Sequence, residues 1–268
     1  MSGFAHDWLA LREPYDHAAR STDLGQRLAG WAAGRSRLGV VDLGSGTGSN
    51  LRATAPALAC PQAWTLVEHD PALIAAGTPA LAGLPANVTA AYAGIDLARE
   101  LATALPAGTD LVTAAAFLDL VSAAWLDELV ALVLERRAAL HVVLTCDGGL
   151  RWRPGDLFDG EVKRLFEAHQ RTDKGFGSAL GPTAVDALEA RLRAGQGELH
   201  VAASDWRLGY ADQAIQAALL DGYARSATEI APAQAAEIAD WQAQRARQIE
   251  AGRSEHRVGH KDLLWLPE

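Results

Sequence analysis

The feature that most constrains this chain is a short apolar run that leads into a loop of alternating glycines. Residues 38–43 are largely apolar and include two valines, which is typical of a buried strand in a parallel sheet. Gly44, Gly46 and Gly48 alternate with small polar residues, and residues 49–59 follow with a helical pattern. Glycine permits positive φ angles and close approach of a ligand to the backbone. The segment therefore predicts a strand, a ligand-binding loop and a helix whose first N–H groups face the ligand.

The spacing of the glycines separates two kinds of cofactor loop. The dinucleotide fingerprint G-x-G-x-x-G has its third glycine where this chain has Ser49. An acid, Asp42, stands two positions before Gly44. With Gly46 and Gly48, these residues resemble the first motif, (D/E)-x-G-x-G-x-G, of the class I S-adenosylmethionine (SAM)-dependent methyltransferases. The resemblance implies SAM as the cofactor and S-adenosylhomocysteine as its product.

A second apolar run, residues 64–68, ends in the acid Glu68. It lies about 20 residues after the glycine loop, the distance at which an acid reaches ribose hydroxyls in Rossmann-type sites. The resemblance implies that Glu68 binds the SAM ribose, and the alternative is a solvated strand end. Asp70 and Pro71 predict an N-cap and the first position of a helix.

A third predicted strand, residues 88–92, leads to Ile95 and Asp96. The resemblance implies that Asp96 accepts a hydrogen bond from the adenine amino group and that Ile95 flanks the ring. Asp96 is also a candidate N-cap for a helix over residues 97–104, and the two roles are compatible. The cofactor-binding residues implied by the resemblance are Asp42, Gly44, Ser45, Gly46, Gly48, Asn50, Glu68, His69, Ile95, Asp96, Ala114 and Arg20. For Arg20 the expected partner is the SAM carboxylate, because a guanidinium holds a carboxylate with two hydrogen bonds; a solvated helix position is the alternative.

The remaining apolar runs complete an α/β pattern. Strands are predicted at residues 110–117, 140–146, 198–206 and 257–266. Strands that alternate with helices indicate a parallel sheet with right-handed crossovers. The resemblance, specific over residues 36–148, implies that the last strand is antiparallel and lies between the fifth and sixth. We therefore predict one methyltransferase domain over residues 1–268: a Rossmann-like, seven-stranded, mostly parallel sheet with helices on both faces.

Three segments are predicted to add to this sheet. Residues 1–35 form an N-terminal helical segment, with Pro14 separating helices over 4–11 and 15–33. Residues 150–181 begin with a loop and form a substrate-recognition insertion, because long loops near a site are usually functional. Residues 207–255 form a helical insertion between the sixth and seventh strands, split near Ala231 and Pro232.

The carboxyl end of the fourth strand is the expected position of the transferred methyl group. The Asn/Asp-Pro-Pro-aromatic motif of some nucleic-acid methylating enzymes is absent there. Asp119 either faces the substrate or caps the next helix. The candidate general bases are Asp119, Asp147 and His169. The candidate substrate contacts, each with an ordinary surface position as the alternative, are Tyr15, Trp152, Asp173, Lys174 and Phe176.

Composition limits the partners. The net charge of −9 argues against nucleic acid as the main partner. Two distant cysteines, Cys60 and Cys146, make no disulfide framework, so we expect a reducing cytoplasm. No signal peptide or membrane span is expected. No metal site is expected, since His256 and His260 share a metal-binding face only on a helix. The oligomeric state stays open.

The predicted activity is methyl transfer from SAM to an oxygen or nitrogen atom of a small molecule by direct displacement, which depends mainly on alignment. Three alternatives remain: a catalytically silent SAM-binding protein, an NAD-dependent oxidoreductase, and a methyltransferase acting on RNA or protein. Asp42, Ser49 and the lack of a Tyr-x-x-x-Lys pair argue against the oxidoreductase.

Overall fold

The computed structural model describes residues 6–268, in which one mixed sheet is flanked by helices. The strands are β1 Leu38–Leu43, β2 Gln62–Glu68, β3 Val88–Gly94, β4 Leu111–Ala115, β5 Ala139–Arg153, β6 Gly197–Ala203, β7 Trp206–Leu208 and β8 Glu255–Pro267. The helices are α1 His6–Ala19, α2 Thr22–Ala32, α3 Ser49–Thr54, α4 Pro71–Gly77, α5 Leu101–Ala104, α6 Ala123–Glu135, α7 Asp159–Gln170, α8 Ala184–Leu192, α9 Gln213–Ile230 and α10 Ala235–Glu250. Phe4, in the first predicted helix, lies outside the described residues.

The strand order is β3-β2-β1-β4-β5-β8-β6, with β7 also paired to β8. Strands β1 to β5 pair in parallel, and β8 is antiparallel to both β5 and β6. The Rossmann-like fold and the reversed last strand are therefore confirmed. The described residues form eight strands instead of seven, because the predicted sixth strand is interrupted at Ser204 and Asp205. Strands β6 and β7 then follow one another along β8.

Strand β5 is much longer than predicted. The sequence predicts a loop from residue 151, whereas β5 continues to Arg153 and pairs with β8 through Trp152 and His256. The pairing of β5 with β8 shifts register twice, between Val142 and Thr145 and between Cys146 and Leu150. After these shifts β5 continues beyond the end of β4, its parallel neighbour. The loop prediction is wrong because the partner strand that satisfies this backbone lies about a hundred residues later in the chain.

The N-terminal helices also differ from the prediction. Pro14 lies inside α1, and the break falls at Ser21, whose side chain caps α2. One face of α1 packs on Trp206 on both sides of the proline, so tertiary contacts override the local break. Similarly, α5 begins at Leu101, because residues 97–100 form a turn closed on the Asp96 carbonyl.

The two insertions share one hydrophobic core. Apolar residues of the β5 extension, α7, α9 and α10 pack together around Trp152, Tyr223 and Trp241. Two other clusters fill the two faces of the main sheet. Helices α9 and α10 are separated at Ala231, as the sequence predicts. Within residues 6–268, no helix combines the length and apolar character needed to cross a membrane.

Candidate functional site

The glycine loop (residues 44–48) joins β1 to α3 at the carboxyl edge of the sheet. Gly44, Gly46 and Gly48 have φ angles of 62°, 53° and 82°, which L-residues with side chains rarely adopt. A Cβ on Gly44 would lie 2.6 Å from the ring of Phe117, so this position has no room for a side chain. Because β1 pairs with both β2 and β4, the loop lies at the topological switch point, where open α/β sheets bind ligands.

The Glu68 carboxylate at the end of β2 holds three backbone amides. Its Oε2 accepts from the N–H of Gly46 at 3.1 Å, and its Oε1 accepts from His69 and Asp70 at 2.8 and 2.9 Å. The side chain is 8% exposed. A carboxylate accepts about four hydrogen bonds, so Glu68 retains capacity for one more donor. The His69 ring is exposed beside it, and Asp70 caps α4 through the N–H of Ala72, as predicted.

Asp42 and Asn50 lie beneath the glycine loop. The Asn50 amide donates to Asp42 at 2.6 Å and to the Thr113 hydroxyl at 2.8 Å. Burial raises the pKa of Asp42 to about 7. Thr54 donates to Asn50, and Arg20 in turn donates to Thr54 at 3.1 Å. These polar residues therefore connect the loop to α3 and to the junction between α1 and α2.

The other predicted cofactor residues lie around the same edge. Ala114 is buried at the end of β4, and Ile95 packs against the main core after β3. Asp96 accepts from the N–H of Ala98 at 3.0 Å, so it caps the turn that precedes α5. The Ser45 hydroxyl is buried and has no hydrogen-bond partner among residues 6–268. The predicted cofactor residues at the ends of β1 to β4 thus lie at one edge of the sheet. Arg20 differs from them, because its hydrogen bond is to Thr54 at the end of α3.

Phe117, which lies against Gly44, belongs to a cluster of three aromatic rings. Phe117, Trp125 and Phe176 lie edge to face, with ring centroids 5.5 to 5.7 Å apart. The Trp125 indole donates to the Leu97 carbonyl at 2.7 Å, which links the cluster to the turn after β3. Phe176 is a predicted substrate contact, but the sequence analysis missed Phe117 and Trp125. The available signal was the position of Phe117 at the end of the predicted fourth strand.

Asp119 lies in a short turn after β4 and is partly buried. Burial raises its pKa to about 6, while the positive charges of Arg12 and Lys174 oppose that shift. Asp119 does not cap the next helix, because Ser122 accepts from the N–H of Trp125 at the start of α6. The capping alternative for Asp119 is therefore wrong, and its carboxyl group remains beside two cationic side chains.

The other two candidate bases differ from each other. His169 lies 3.1 Å from Glu229 and 3.4 Å from the Lys174 ammonium, and burial lowers its pKa. Asp147 accepts from the N–H of Gly149 at 2.8 Å and so stabilises its own turn. Burial raises the pKa of the Cys146 thiol, beside Gln170, to about 11. Lys174 and His169 are therefore in contact, and the charge of Lys174 also acts on Asp119 without a salt bridge between them.

Three of the predicted substrate contacts interact with other residues of the protein. Trp152 is 5% exposed and stacks on His256 with ring centroids 3.7 Å apart. Tyr15 donates to Asp212 at 2.9 Å, which ties α1 to the start of α9. Asp173 accepts from two backbone amides in its own loop. The alternative for Trp152, an ordinary surface position, is wrong, because this residue is buried in β5 and in the core of the insertions.

Comparison with solved structures gives the fold. No protein-family model matches the sequence, and no curated protein matches it. The structure is similar to the cyclopropane synthase MmaA2 from Mycobacterium tuberculosis, with a TM-score of 0.53 and 12% identity over 98% of this chain and 94% of that chain. It is also similar to the YcgJ protein from Bacillus subtilis, with a TM-score of 0.50 and 14% identity over 92% of this chain and 100% of that chain. The chain therefore shares the α/β fold of these two proteins.

Proposed function

We propose that this chain is a SAM-dependent methyltransferase that modifies an oxygen or nitrogen atom of a small molecule. The observation that carries the proposal is the combination of a glycine loop at the switch point with β8 reversed between β5 and β6. Dinucleotide-binding sheets have the order 3-2-1-4-5-6 without such an insertion. The acid Asp42 and the G-x-G-x-G spacing favour the same conclusion.

The residues around the glycine loop fit an adenosyl ligand. Glu68 has capacity for a ribose hydroxyl, and the Ser45 hydroxyl is an unused buried polar group at the loop. We assign the adenine ring to Ile95 and Asp96 after β3, and further contacts to Ala114 and His69, because these residues lie at or directly after the ends of β2 to β4, at the same edge of the sheet as the glycine loop. Arg20 contributes through Thr54, by holding the helix that follows the loop. When bound, SAM supplies a methyl group on an activated sulfonium leaving group.

The acceptor side is formed by Asp119 and its neighbours. With a pKa of about 6, Asp119 is ionised at neutral pH and accepts the proton that an acceptor O–H or N–H group releases. Lys174 and His169 lie close by, and helices α7 and α9 carry Gln170 and Glu229 to the same region. The net charge of −9 favours a small acceptor over RNA.

Calorimetric titration with SAM, S-adenosylhomocysteine and NAD tests the cofactor. We expect both adenosyl ligands to bind the wild type with micromolar affinity and Glu68→Gln at least about tenfold more weakly, as loss of a hydrogen bond to a charged group implies. Glu128→Gln, which changes an exposed glutamate of α6, is the matched control and leaves binding unchanged. Binding of NAD alone would contradict the proposal, as would the absence of binding by all three.

Transfer of a labelled methyl group from SAM into fractionated cell extract tests the reaction and the acceptor class. We expect label in the low-molecular-weight fraction, with a rate that rises with pH through about 6 and then levels off. Asp119→Asn removes this pH dependence because the side chain no longer accepts a proton. SAM binding without transfer would indicate a silent protein, and label in RNA or protein would overturn the assignment of a small acceptor.

A further inference from the structure

An open cavity lies where β5 and β8 extend beyond the parallel strands. Its volume is about 360 Å³. Four arginines line it: Arg151 and Arg153 on β5, Arg207 on β7 and Arg257 on β8. Such a concentration of positive charge is unexpected in a chain whose net charge is −9. This cavity is here called the arginine cavity.

Strand register places the arginines in a row. Arg151 is directly opposite Arg257, and Arg257 is directly opposite Arg207 on the other side. Neighbouring strands are about 4.8 Å apart, so three like charges stand side by side on one face. The adjacent row, with Trp152 and His256, faces the other way and is buried. Like charges directly opposite one another destabilise a sheet. All four arginines are exposed, so water screens part of this repulsion, and an anion bound against the row would relieve the rest.

Acidic residues of the protein neutralise only part of the positive charge of the arginines. The Asp205 carboxylate lies 2.5 Å from Arg257 and 3.8 Å from Arg207, so two guanidinium groups share one acid. For Arg151 and Arg153, the described part of the chain places no carboxylate within the 4.0 Å of a salt bridge. Glu255 lines the cavity opposite Arg153 without reaching it at that distance. The cavity thus keeps an excess of about two positive charges.

We propose that the arginine cavity binds a small molecule through a diphosphate or triphosphate group. Guanidinium groups match phosphate oxygens with paired, directional hydrogen bonds. The volume falls in the range of small-molecule sites, about 300–1,000 Å³. Its concave shape and short row of charges favour a compact anion over a nucleic-acid strand, which needs an extended basic stripe.

The arginine cavity is separate from the glycine loop. None of the residues that line it belongs to the glycine loop. Along β8, Arg257 lies three residues before His260, the partner of Cys146 near the acceptor side, which is roughly 10 Å at the rise of an extended strand. Its ligand therefore does not compete for the cofactor site, and the proposal stands whether or not the protein binds SAM. For the same reason its test needs neither SAM nor an acceptor.

The test is calorimetric titration of inorganic pyrophosphate into the full chain at low salt. We expect saturable binding by the wild type, weakened at least tenfold in the double variant Arg151→Gln/Arg153→Gln. The matched control, Arg164→Gln/Arg193→Gln, removes the same charge from exposed positions, one in α7 and one directly after α8, and leaves binding unchanged. Pyrophosphate also raises the unfolding temperature of the wild type and the control but not that of the double variant.

Two further measurements make the result decisive. Without ligand, the double variant is expected to unfold at or above the wild-type temperature, because a row of repelling charges has been relieved. A single-stranded 12-nucleotide DNA is titrated in parallel and is expected to bind more weakly than pyrophosphate. Equal pyrophosphate binding by both double variants, or no binding by the wild type, would overturn the proposal. Tighter binding of the oligonucleotide would overturn it in favour of a nucleic-acid surface.

Discussion

The parallel part of the sheet, β1 to β4, and its antiparallel end, where residues 150–153 pair with β8, bury polar groups in different ways. Beneath the glycine loop, Asp42 and Asn50 form a hydrogen-bonded group in which the second Asp42 oxygen has no partner among the described residues. At the antiparallel end, the fully buried Arg245 donates from all three nitrogens, to Asp159, Pro154 and Gln248.

This difference indicates that the two parts contribute differently to stability. Unpartnered polar atoms such as the Ser45 hydroxyl and the Trp206 indole nitrogen occur in both parts, so the difference lies in the buried charges: among the described residues Asp42 forms no salt bridge, whereas Arg245 forms one with Asp159. The antiparallel end is a support, because Arg245 also lies over the Trp152 ring and so ties α10 to β5. Perturbing the support should therefore change stability most, and perturbing the loop should change both stability and ligand binding.

Arg245→Ala should have the largest effect. Removing a fully buried guanidinium leaves Asp159 with its donors Trp241 and Asp156 but without its cationic partner, which costs about 3–5 kcal/mol of unfolding free energy. The exposed Arg247→Ala on the same helix is the control and should leave the urea midpoint unchanged. Similar midpoints for the two variants would show that the antiparallel end does not depend on this ion pair.

Gly44→Ala should come next, in the parallel part. The positive φ angle costs about 1–2 kcal/mol for a residue with a Cβ, and contact with Phe117 adds to this. Gly25→Ala in α2, where a Cβ meets nothing within 4 Å, should be neutral or stabilising by up to about 1 kcal/mol. Urea unfolding compares the two, and SAM titration should show loss of binding for Gly44→Ala alone.

The two parts should also respond to pH with opposite sign. Burial raises the pKa of Asp42 from 3.8 to about 7, so its contribution to stability declines as pH rises through that window. Burial lowers the pKa of His256 from 6.5 to about 3, so its contribution is full above pH 6.5 and declines as pH falls. Each slope is about 1.4 kcal/mol per pH unit.

Urea unfolding between pH 5 and 6.5 measures both slopes. Asp42→Asn should make stability rise more steeply with pH than in the wild type, and His256→Gln should make it rise less steeply. The variants are compared by the slope of unfolding free energy against pH, because both substitutions also change packing and therefore the absolute stability. Unchanged slopes in both variants would mean that these groups titrate alike in the folded and unfolded chains.

Tyr15→Phe should have the smallest effect. It removes one hydrogen bond, to Asp212, that connects α1 with α9, at a cost of about 0.5–1.5 kcal/mol. The Trp206 contact of the ring is retained. If the urea midpoint does not move, α1 is held to the antiparallel end by apolar packing alone.

Much of the parallel part was predictable because its signals are local. The strand, the glycines and the Asp70 cap lie within a few residues of one another, and the structure confirms each of these elements. The reversed last strand was predicted through the family resemblance and is confirmed. The break at Pro14 and the loop from residue 151 were wrong, because contacts with Trp206 and β8 from distant parts of the chain decide both segments. The assignments of individual residues to cofactor or acceptor stay predictions.

The sequence by itself determined the order of strands and helices and the position of the glycine loop, since these follow from side-chain periodicity and backbone preferences. Tertiary structure decided which polar groups meet. Arg151 comes to lie opposite Arg257 only through the register of β5 and β8. Likewise, the pKa values of Asp42 and His256 shift because folding removes water from them. Both outcomes depend on contacts between distant residues, which no local pattern specifies.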